Sequence, residues 1–193
     1  AYAIKTRVTS SASCLDVYNW STAAGGNIAQ YSYWGGACQL WILEKASDTK
    51  GTDISLSAND LTYGNYTNAI TSGSFTIGAS SGKNVAVLNR NATVNGTSYS
   101  KVLQMNGGGN STGRYIKFTA TGACTVKVTA ASTSTSASRT LRLASGSVGG
   151  STVGNATITG TPSTVTYKIP SAGTYYLYST RSGIYVYQVN VAY

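Results

Sequence analysis

Hydrophobic and polar residues alternate along much of this chain, and no stretch places its apolar residues at helical spacing. The alternation is clearest at residues 115–118 and 125–128, where Lys117 and Lys127 occupy the polar positions. Strands that turn one face to a core and the other to water have this period of two. The pattern predicts an all-β protein built from antiparallel strands.

Short apolar segments bounded by Gly, Ser, Thr and Asn give the individual strands. Near the start of the chain they are predicted at residues 2–8, 14–17, 27–31, 39–43 and 54–56. Further along they recur about every ten residues, at 74–78, 84–88, 101–105, 114–120, 124–129, 139–144, 165–169, 174–178 and 184–191. Recurrence at this interval is typical of a sandwich. We expect the alternation of residues 139–143 to place Arg139 and Arg142 on the outer face.

The composition is consistent with a secreted β protein. Tyr, Thr and Val favour half-buried pleated surfaces, and no apolar run is long enough to span a membrane. Without an initiator Met or a signal peptide, the sequence is interpreted as a mature product or an excised fragment. With three cysteines, at least one is unpaired within the chain. A disulfide between Cys14 and Cys38 is possible, and the sequence alone does not decide whether it forms. Cys124 lies in an alternating segment and is expected to be buried.

Charge is distributed unevenly along the chain. Residues 1–48 are neutral overall, whereas residues 49–193 hold eleven Lys and Arg against two Asp, a net charge of +9. No Asp, Glu or His occurs in residues 61–193. General acid–base catalysis draws mainly on those residues, and hard metal ions need carboxylate ligands. We therefore expect no enzymatic activity, no cofactor and no metal site, but a basic surface suited to a polyanion.

Pattern and charge both change near the same point, which predicts two domains. Residues 1–47 form the neutral unit, residues 48–57 a polar linker, and residues 58–193 a basic antiparallel, jelly-roll-like β-sandwich.

The first domain contains Cys14-Leu15-Asp16-Val17, then Trp34-Gly35-Gly36 and Gln39-Leu40-Trp41. This set resembles one repeat of a ricin-type (QxW) β-trefoil, the fold of many secreted carbohydrate-binding modules. In that family the Asp accepts hydrogen bonds from sugar hydroxyls, and an aromatic residue about fifteen positions later stacks on the ring. The resemblance implies that Asp16 and Tyr31 bind carbohydrate. A carboxylate and an aromatic face suit the polar and apolar sides of a pyranose.

The match to the repeat has two departures. Ala29 stands where the family has Gln, and Cys38 where it usually has Asn, which removes two expected hydrogen bonds to the sugar.

A trefoil also needs three repeats, and a single repeat cannot bury its own hydrophobic face. We therefore expect the trefoil to be completed in one of two ways: by packing in trans in a homo-oligomer, for example a threefold one, or by upstream repeats missing from this sequence.

Residues 58–193 resemble a β-sandwich module appended to secreted bacterial pectate lyases. The segments that carry this resemblance lie at residues 112–118, 136–141, 170–177 and 182–184. The resemblance implies a non-catalytic module that binds pectin-type polysaccharide. Polygalacturonate has a carboxylate on every sugar, and arginine offers a planar fork for it. The expected carbohydrate-binding cations lie at strand ends or beside loops, where they could converge: Lys101, Arg114, Arg139 and Arg181. Tyr99 and Tyr115 are the expected stacking partners.

Together these features predict a secreted, non-catalytic protein that binds acidic polysaccharide, with polygalacturonate as the leading ligand. Nucleic acid is not favoured, because the basic residues are spaced singly and no nucleic-acid-binding motif occurs. No membrane partner is expected. The alternative is a structural subunit of an extracellular fibre or surface assembly, in which the single trefoil repeat packs in trans.

Overall fold

A computed structural model describes residues 1–7, 10, 12–42 and 51–193. The chain divides into two compact units, Ala1–Asp48 and Thr49–Tyr193, which we call the first unit and the sandwich unit. The described secondary structure consists of β-strands, isolated bridges and three single-turn 3-10 helices, and every strand pairing is antiparallel. The predicted all-β, antiparallel fold class is confirmed. None of the described helices has the length and apolar character needed to cross a membrane.

The first unit is organised around one hairpin. Strand β1 (Ser13–Val17) pairs with β2 (Ile28–Ser32), close to the predicted positions. In place of the strand predicted at residues 2–8, the structure has isolated bridges at Tyr2 and Lys5. In place of the start of the strand predicted at residues 39–43, it has the end of the 3-10 turn Ala37–Gln39. The turn forms because the backbone N–H of Gln39 bonds to a carbonyl three residues earlier. Residues 8 and 43 lie outside the described part of the chain.

In residues 51–193, the structure has thirteen strands of the sandwich unit in two antiparallel sheets. They are β3 (Ile54–Ser57), β4 (Gly64–Tyr66), β5 (Ile70–Ser72), β6 (Phe75–Gly78), β7 (Val85–Val94), β8 (Thr97–Met105), β9 (Tyr115–Ala120), β10 (Cys124–Ser132), β11 (Arg139–Ser145), β12 (Ser151–Ile158), β13 (Ser163–Ile169), β14 (Gly173–Ser179) and β15 (Ile184–Ala192). One sheet has the order β13-β10-β15-β8-β7-β4, with β3 also paired to β15. The other has the order β12-β11-β14-β9-β6-β5.

Inward-facing residues of both sheets form the main core, which includes the tilted rings of Phe75 and Phe118. Leu56 of β3 is buried in the same core, so the segment Ile54–Ser57 belongs structurally to the sandwich unit. Residues 48–50 of the predicted linker lie outside the described residues.

A second, smaller core lies around β8 and β15. Tyr99 is buried there: its ring centroid is 5.4 Å from that of Tyr187, and its hydroxyl donates to Gln188 Oε1 at 2.7 Å. Arg90 borders the cluster, with its guanidinium 4.4 Å from the ring centroid of Tyr185. The prediction that Tyr99 stacks on a ligand is therefore wrong, because its ring is enclosed by the protein.

Candidate functional site

A cleft of about 350 Å³ opens on the first unit. It is lined by one carboxylate, two small or polar residues and four aromatic rings: Asp16, Asn19, Ala29, Tyr18, Trp20, Tyr31 and Trp34. We call it the aromatic cleft. All four aromatic side chains are more than half exposed. Its volume lies in the range of small-molecule sites, which span roughly 300–1,000 Å³.

The β1–β2 register brings the two predicted site residues of this unit together. Asp16 pairs with Ala29, and Cys14 pairs with Tyr31. Because residues two apart share a face of a strand, Asp16 and Tyr31 are diagonal neighbours on one face. The small side chain of Ala29 lies between them in the cleft lining.

The carboxylate of Asp16 is held in place by the fully buried Gln39. Gln39 Nε2 donates to Asp16 Oδ2 at 2.8 Å and to the Ser32 carbonyl at 2.9 Å. Gln39 Oε1 accepts from the backbone N–H groups of Trp34 and Gly35, at 2.9 and 3.2 Å. A carboxamide has two donor hydrogens and two acceptor lone pairs, so this one is fully used. Both hydrogen bonds to Asp16 from described residues fall on Oδ2, so Oδ1 receives none from the described part of the chain.

Two tryptophan rings form a wall of the cleft. The ring centroids of Trp20 and Trp34 are 5.5 Å apart, with the planes tilted by 34°. A Cβ on Gly36 would lie 2.0 Å from the Trp34 ring, so only glycine allows that ring to fold back over the chain. Asn19 and Trp20 have φ angles of 52° and 56°, and a bulky side chain rarely adopts this left-handed conformation. Strained backbone of this kind clusters at functional sites.

Two thiols lie near the same carboxylate. The described cysteines, Cys14, Cys38 and Cys124, are all free, so the disulfide left open by the sequence is not formed. Cys38 Sγ donates to Asp16 Oδ2 at 3.7 Å. Burial and the nearby Asp16 carboxylate raise the pKa of both Cys14 and Cys38. Protonated thiols are favoured here, and Cys38 acts as a donor where the trefoil family usually has Asn.

In the sandwich unit, Lys101 has a structural role. Its Nζ donates to the carbonyl oxygens of Asn59 and Leu61, at 3.0 and 2.8 Å, and lies 4.6 Å from the ring centroid of Tyr63. These contacts fix the segment that follows β3. The structure does not place Lys101 with the other three predicted cations.

Arg114 is also engaged by the protein. It lies just before β9 with a φ of 62°, and its Nε donates to the Asn84 carbonyl at 3.2 Å. Its Nη2 donates to Asn84 Oδ1 at 3.3 Å. Arg114 therefore fixes the loop that precedes β7.

Arg139 and Arg181 do come together. Leu141 of β11 pairs with Ser179 of β14, and continuing this register places Arg139 opposite Arg181. A cavity of about 150 Å³ opens there, lined by the two arginines and by hydroxyl residues of both segments: Ser138, Thr140, Ser179, Thr180 and Ser182. We call it the arginine pocket.

The outward orientation predicted for Arg139 is wrong. Arg139 has the same strand parity as the fully buried Leu141 and Leu143, and its Nε is itself buried. Arg142 has the opposite parity, and its Nε donates to Asn155 Oδ1 at 2.9 Å in an exposed contact.

Tyr115 lies on the outer face of β9 against Tyr176, with the ring centroids 5.3 Å apart. Both rings are partly exposed. Tyr115 therefore stays a predicted stacking residue. Sequence reasoning did not assign Trp20 and Trp34 to a site, because the sequence does not show which tryptophans remain exposed.

No protein-family model matches this chain, and no curated protein matches it. Similar solved structures include the CBM22-1 xylan-binding domain of Xyn10C from Paenibacillus barcinonensis. That domain is 14% identical over 76% of this chain and 97% of that chain, with a TM-score of 0.48. A structure from the Ruminococcus flavefaciens cellulosome, described in terms of glycan recognition, is 15% identical over 74% of this chain and 95% of that chain, with a TM-score of 0.47.

A third structure is the C-terminal CBM6 of LamC, a marine laminarinase from Zobellia galactanivorans. It is 10% identical over 74% of this chain and 100% of that chain, with a TM-score of 0.37. All three TM-scores are below 0.5, so these similarities indicate no function for this protein.

Proposed function

We propose that this protein is a secreted, non-catalytic carbohydrate-binding protein that holds a pyranose ring in the aromatic cleft. The observation that carries the proposal is the pairing of a fixed carboxylate, Asp16, with exposed aromatic rings in one cleft. A sugar has hydroxyls at its rim and apolar C–H groups on its ring faces. The carboxylate accepts hydrogen bonds from the hydroxyls, while an aromatic face covers the apolar side.

Stacking dominates the proposed contact. Tyr31 and Trp20 are 62% and 63% exposed, so a sugar ring can reach their faces without displacing other side chains. Asp16 orients the ring through Oδ1, since Gln39 and Cys38 donate to Oδ2. The departures at Ala29 and Cys38 remove hydrogen-bonding groups, which favours recognition of ring shape over a particular hydroxyl pattern.

We further propose that the sandwich unit binds acidic, pectin-type polysaccharide such as polygalacturonate. Its net charge of +9 and the absence of acidic residues after Asp60 support this ligand class. Of the four predicted cations, Lys101 and Arg114 hold other segments of the protein. Arg139 Nη1 donates locally, to the adjacent Ser138 carbonyl. Arg139 and Arg181, which line one cavity, are therefore the better candidates for direct contact with a sugar carboxylate. Binding of this kind weakens as salt screens the charges.

Exposed apolar side chains on the first unit support self-association through this part of the chain. Ile4, Ile28, Leu40 and Ile42 are exposed, and Cys14 is the one hydrophobic residue buried in the unit's described part. Burying such surface is the main driving force of association. Sedimentation velocity over a hundredfold range of concentration tests this proposal. We expect an oligomer, and a monodisperse, folded monomer throughout would contradict it.

Binding to a glycan array of neutral and acidic sugars, followed by titration of each hit, tests the carbohydrate function. All three tryptophans lie in the first unit, and Trp20 and Trp34 line the cleft, so tryptophan emission reports ligand entry there. We expect neutral sugars to change the emission. If no glycan binds, the proposal fails, and electron microscopy showing regular polymers would instead favour the structural-subunit alternative.

A further inference from the structure

The arginine pocket brings two like charges together with no acid to balance them. Arg139 and Arg181 lie opposite each other at the ends of β11 and β14. No Asp, Glu or His occurs anywhere after Asp60, so residues 61–193 supply no anionic side chain to the pair. The Arg181 guanidinium donates no hydrogen bond to any described residue. Arg181 is exposed and Arg139 is half-buried, and two cations that line one cavity favour a bound counter-charge.

The same pocket holds unused hydrogen-bonding groups. In the part of the chain that the structure describes, two buried side-chain nitrogen or oxygen atoms lack a hydrogen-bond partner, Arg139 Nε and Ser179 Oγ. Both belong to residues that line the arginine pocket, and Ser179 is fully buried. Buried polar atoms in native proteins nearly always have partners, so two such donors at one cavity suit a ligand that accepts hydrogen bonds. Both groups can donate.

The size of the pocket restricts what that ligand can be. A cavity of about 150 Å³ has room for about five waters, each with a share of about 30 Å³, and is smaller than typical drug-sized sites. A small oxyanion, or the single carboxylate of a sugar, suits this volume. Guanidinium groups match the planar geometry of such oxyanions through paired hydrogen bonds.

The walls of the pocket are fixed before any ligand arrives. On one side, Ser132 Oγ donates to the Ala137 carbonyl at 2.7 Å, and Ser134 Oγ accepts from the Ala137 N–H at 3.1 Å. On the other, the Gly183 carbonyl accepts from Thr133 Oγ1 at 3.0 Å. The first two bonds close the loop before β11, and the third ties that loop to the loop after β14. A site with a preformed wall loses little entropy when it binds a ligand.

We propose that the arginine pocket binds one small oxyanion, held by the guanidinium groups of Arg139 and Arg181 and by the Ser179 hydroxyl. The anion is a sugar carboxylate or a sulfate group, which share this chemistry. That the anion belongs to a sugar rests on the proposed function. Binding of the anion itself does not. The site extends that proposal by assigning anion recognition to a single pocket rather than to the whole basic surface.

Calorimetric titration of the full chain with sodium sulfate, galacturonic acid and galactose, at constant ionic strength, tests the pocket directly. We expect sulfate, galacturonate or both to bind, and neutral galactose not to bind there. Arg181→Gln should weaken anion binding by about ten-fold or more, because a charge-assisted hydrogen bond is lost. Arg142→Gln is the matched control: it removes the same charge from the outer face of β11 and should leave anion binding unchanged.

Ser179→Ala separates a ligand role from a structural one. Because the hydroxyl has no partner in the unliganded protein, its loss should leave the unfolding temperature unchanged or higher while weakening anion binding. A marked loss of stability in Ser179→Ala, or equal anion binding in wild type and Arg181→Gln, would overturn the inference. Polygalacturonate binding that survives Arg181→Gln undiminished would rule out carboxylate binding in the arginine pocket and leave the carbohydrate function standing. Sulfate binding without galacturonate binding would identify a sulfated ligand.

Discussion

At the scale of single residues, Gln39 connects the interior of the first unit to its surface. Its carboxamide is fully buried, yet one of its four hydrogen bonds holds Asp16 at the floor of the aromatic cleft. The same group fixes the backbone of Trp34, whose ring forms a cleft wall. A change at Gln39 therefore alters the site without touching a ligand.

Replacing Gln39→Glu should destabilise the first unit by about 3–5 kcal/mol, because it buries a carboxylate beside Asp16 and removes two donated hydrogen bonds. Denaturant unfolding followed by tryptophan emission measures this unit selectively, since all three tryptophans lie in it. Gln30→Glu makes the same chemical change at an exposed position of β2 and should have little effect. Equal stability of the two variants would show that the Gln39 bonds are not essential.

Which face of β11 Arg139 lies on could be predicted from the sequence, but its partner in the arginine pocket could not. Strict alternation from the buried Leu141 and Leu143 already places Arg139 on the inner face and Arg142 on the outer one. Strand parity is therefore visible in the sequence. That Arg139 lies opposite Arg181 depends on the pairing of β11 with β14, about forty residues apart, which one sequence does not reveal.

At the scale of elements, the turn after β1 positions the first of the cleft tryptophans. Asn19 and Trp20 both adopt left-handed backbone conformations, which direct the turn Tyr18–Trp20 out of the strand. Trp20 is 63% exposed, so the protein core gains little from the ring. The strained turn is therefore consistent with the proposed contact between this ring and a sugar.

Trp20→Ala should therefore weaken sugar binding by about ten-fold or more while changing stability by less than about 1 kcal/mol. Tyr2→Ala is the matched control, because Tyr2 is equally exposed, at 63%, and lies outside the cleft. Titration of each variant with the best neutral sugar from the array gives the two affinities. Parallel losses in both variants would mean that the cleft is not the binding site.

The elements of the sandwich could be predicted where apolar and polar residues alternate, as at Tyr115–Ala120 and Cys124–Ser132. The strand Ser151–Ile158 was missed because it is polar and contains Gly154. Gly154 is explained by packing, since a Cβ there would lie 2.9 Å from the ring of Tyr167. The contact with Tyr167 thus requires glycine at a position where glycine disfavours a strand.

The hairpin of β7 and β8 is longer than the strands predicted at residues 84–88 and 101–105. Its turn residues nevertheless have a sequence typical of a hairpin. Asn95 and Gly96 both have positive φ angles, of 51° and 79°, between two strands. Asn-Gly is the preferred pair for a two-residue hairpin turn. The extension supports the second core around Tyr99, which explains why that residue is unavailable for stacking.

At the scale of the whole molecule, the two units offer different chemistry. The first unit is neutral and presents aromatic rings, whereas the sandwich unit has the entire net charge of +9. Raising the salt concentration from about 50 to 500 mM shortens the Debye length from above 10 Å to below 5 Å. We therefore expect polygalacturonate affinity to fall steeply over this range and neutral-sugar affinity to stay constant. Calorimetry with both ligands measures the contrast, and a salt-independent polygalacturonate affinity would contradict the charge-based proposal.

The absence of acids and imidazoles after Asp60 also makes this part of the chain insensitive to acidification. No side chain in residues 61–193 is of a kind that titrates below about pH 8. Any loss of anion binding in that region on acidification then belongs to the ligand. A carboxylated polysaccharide would be released as its own acid groups gain protons, whereas a sulfated one would stay bound. A plot of affinity against pH would thus reveal the acid group of the natural ligand.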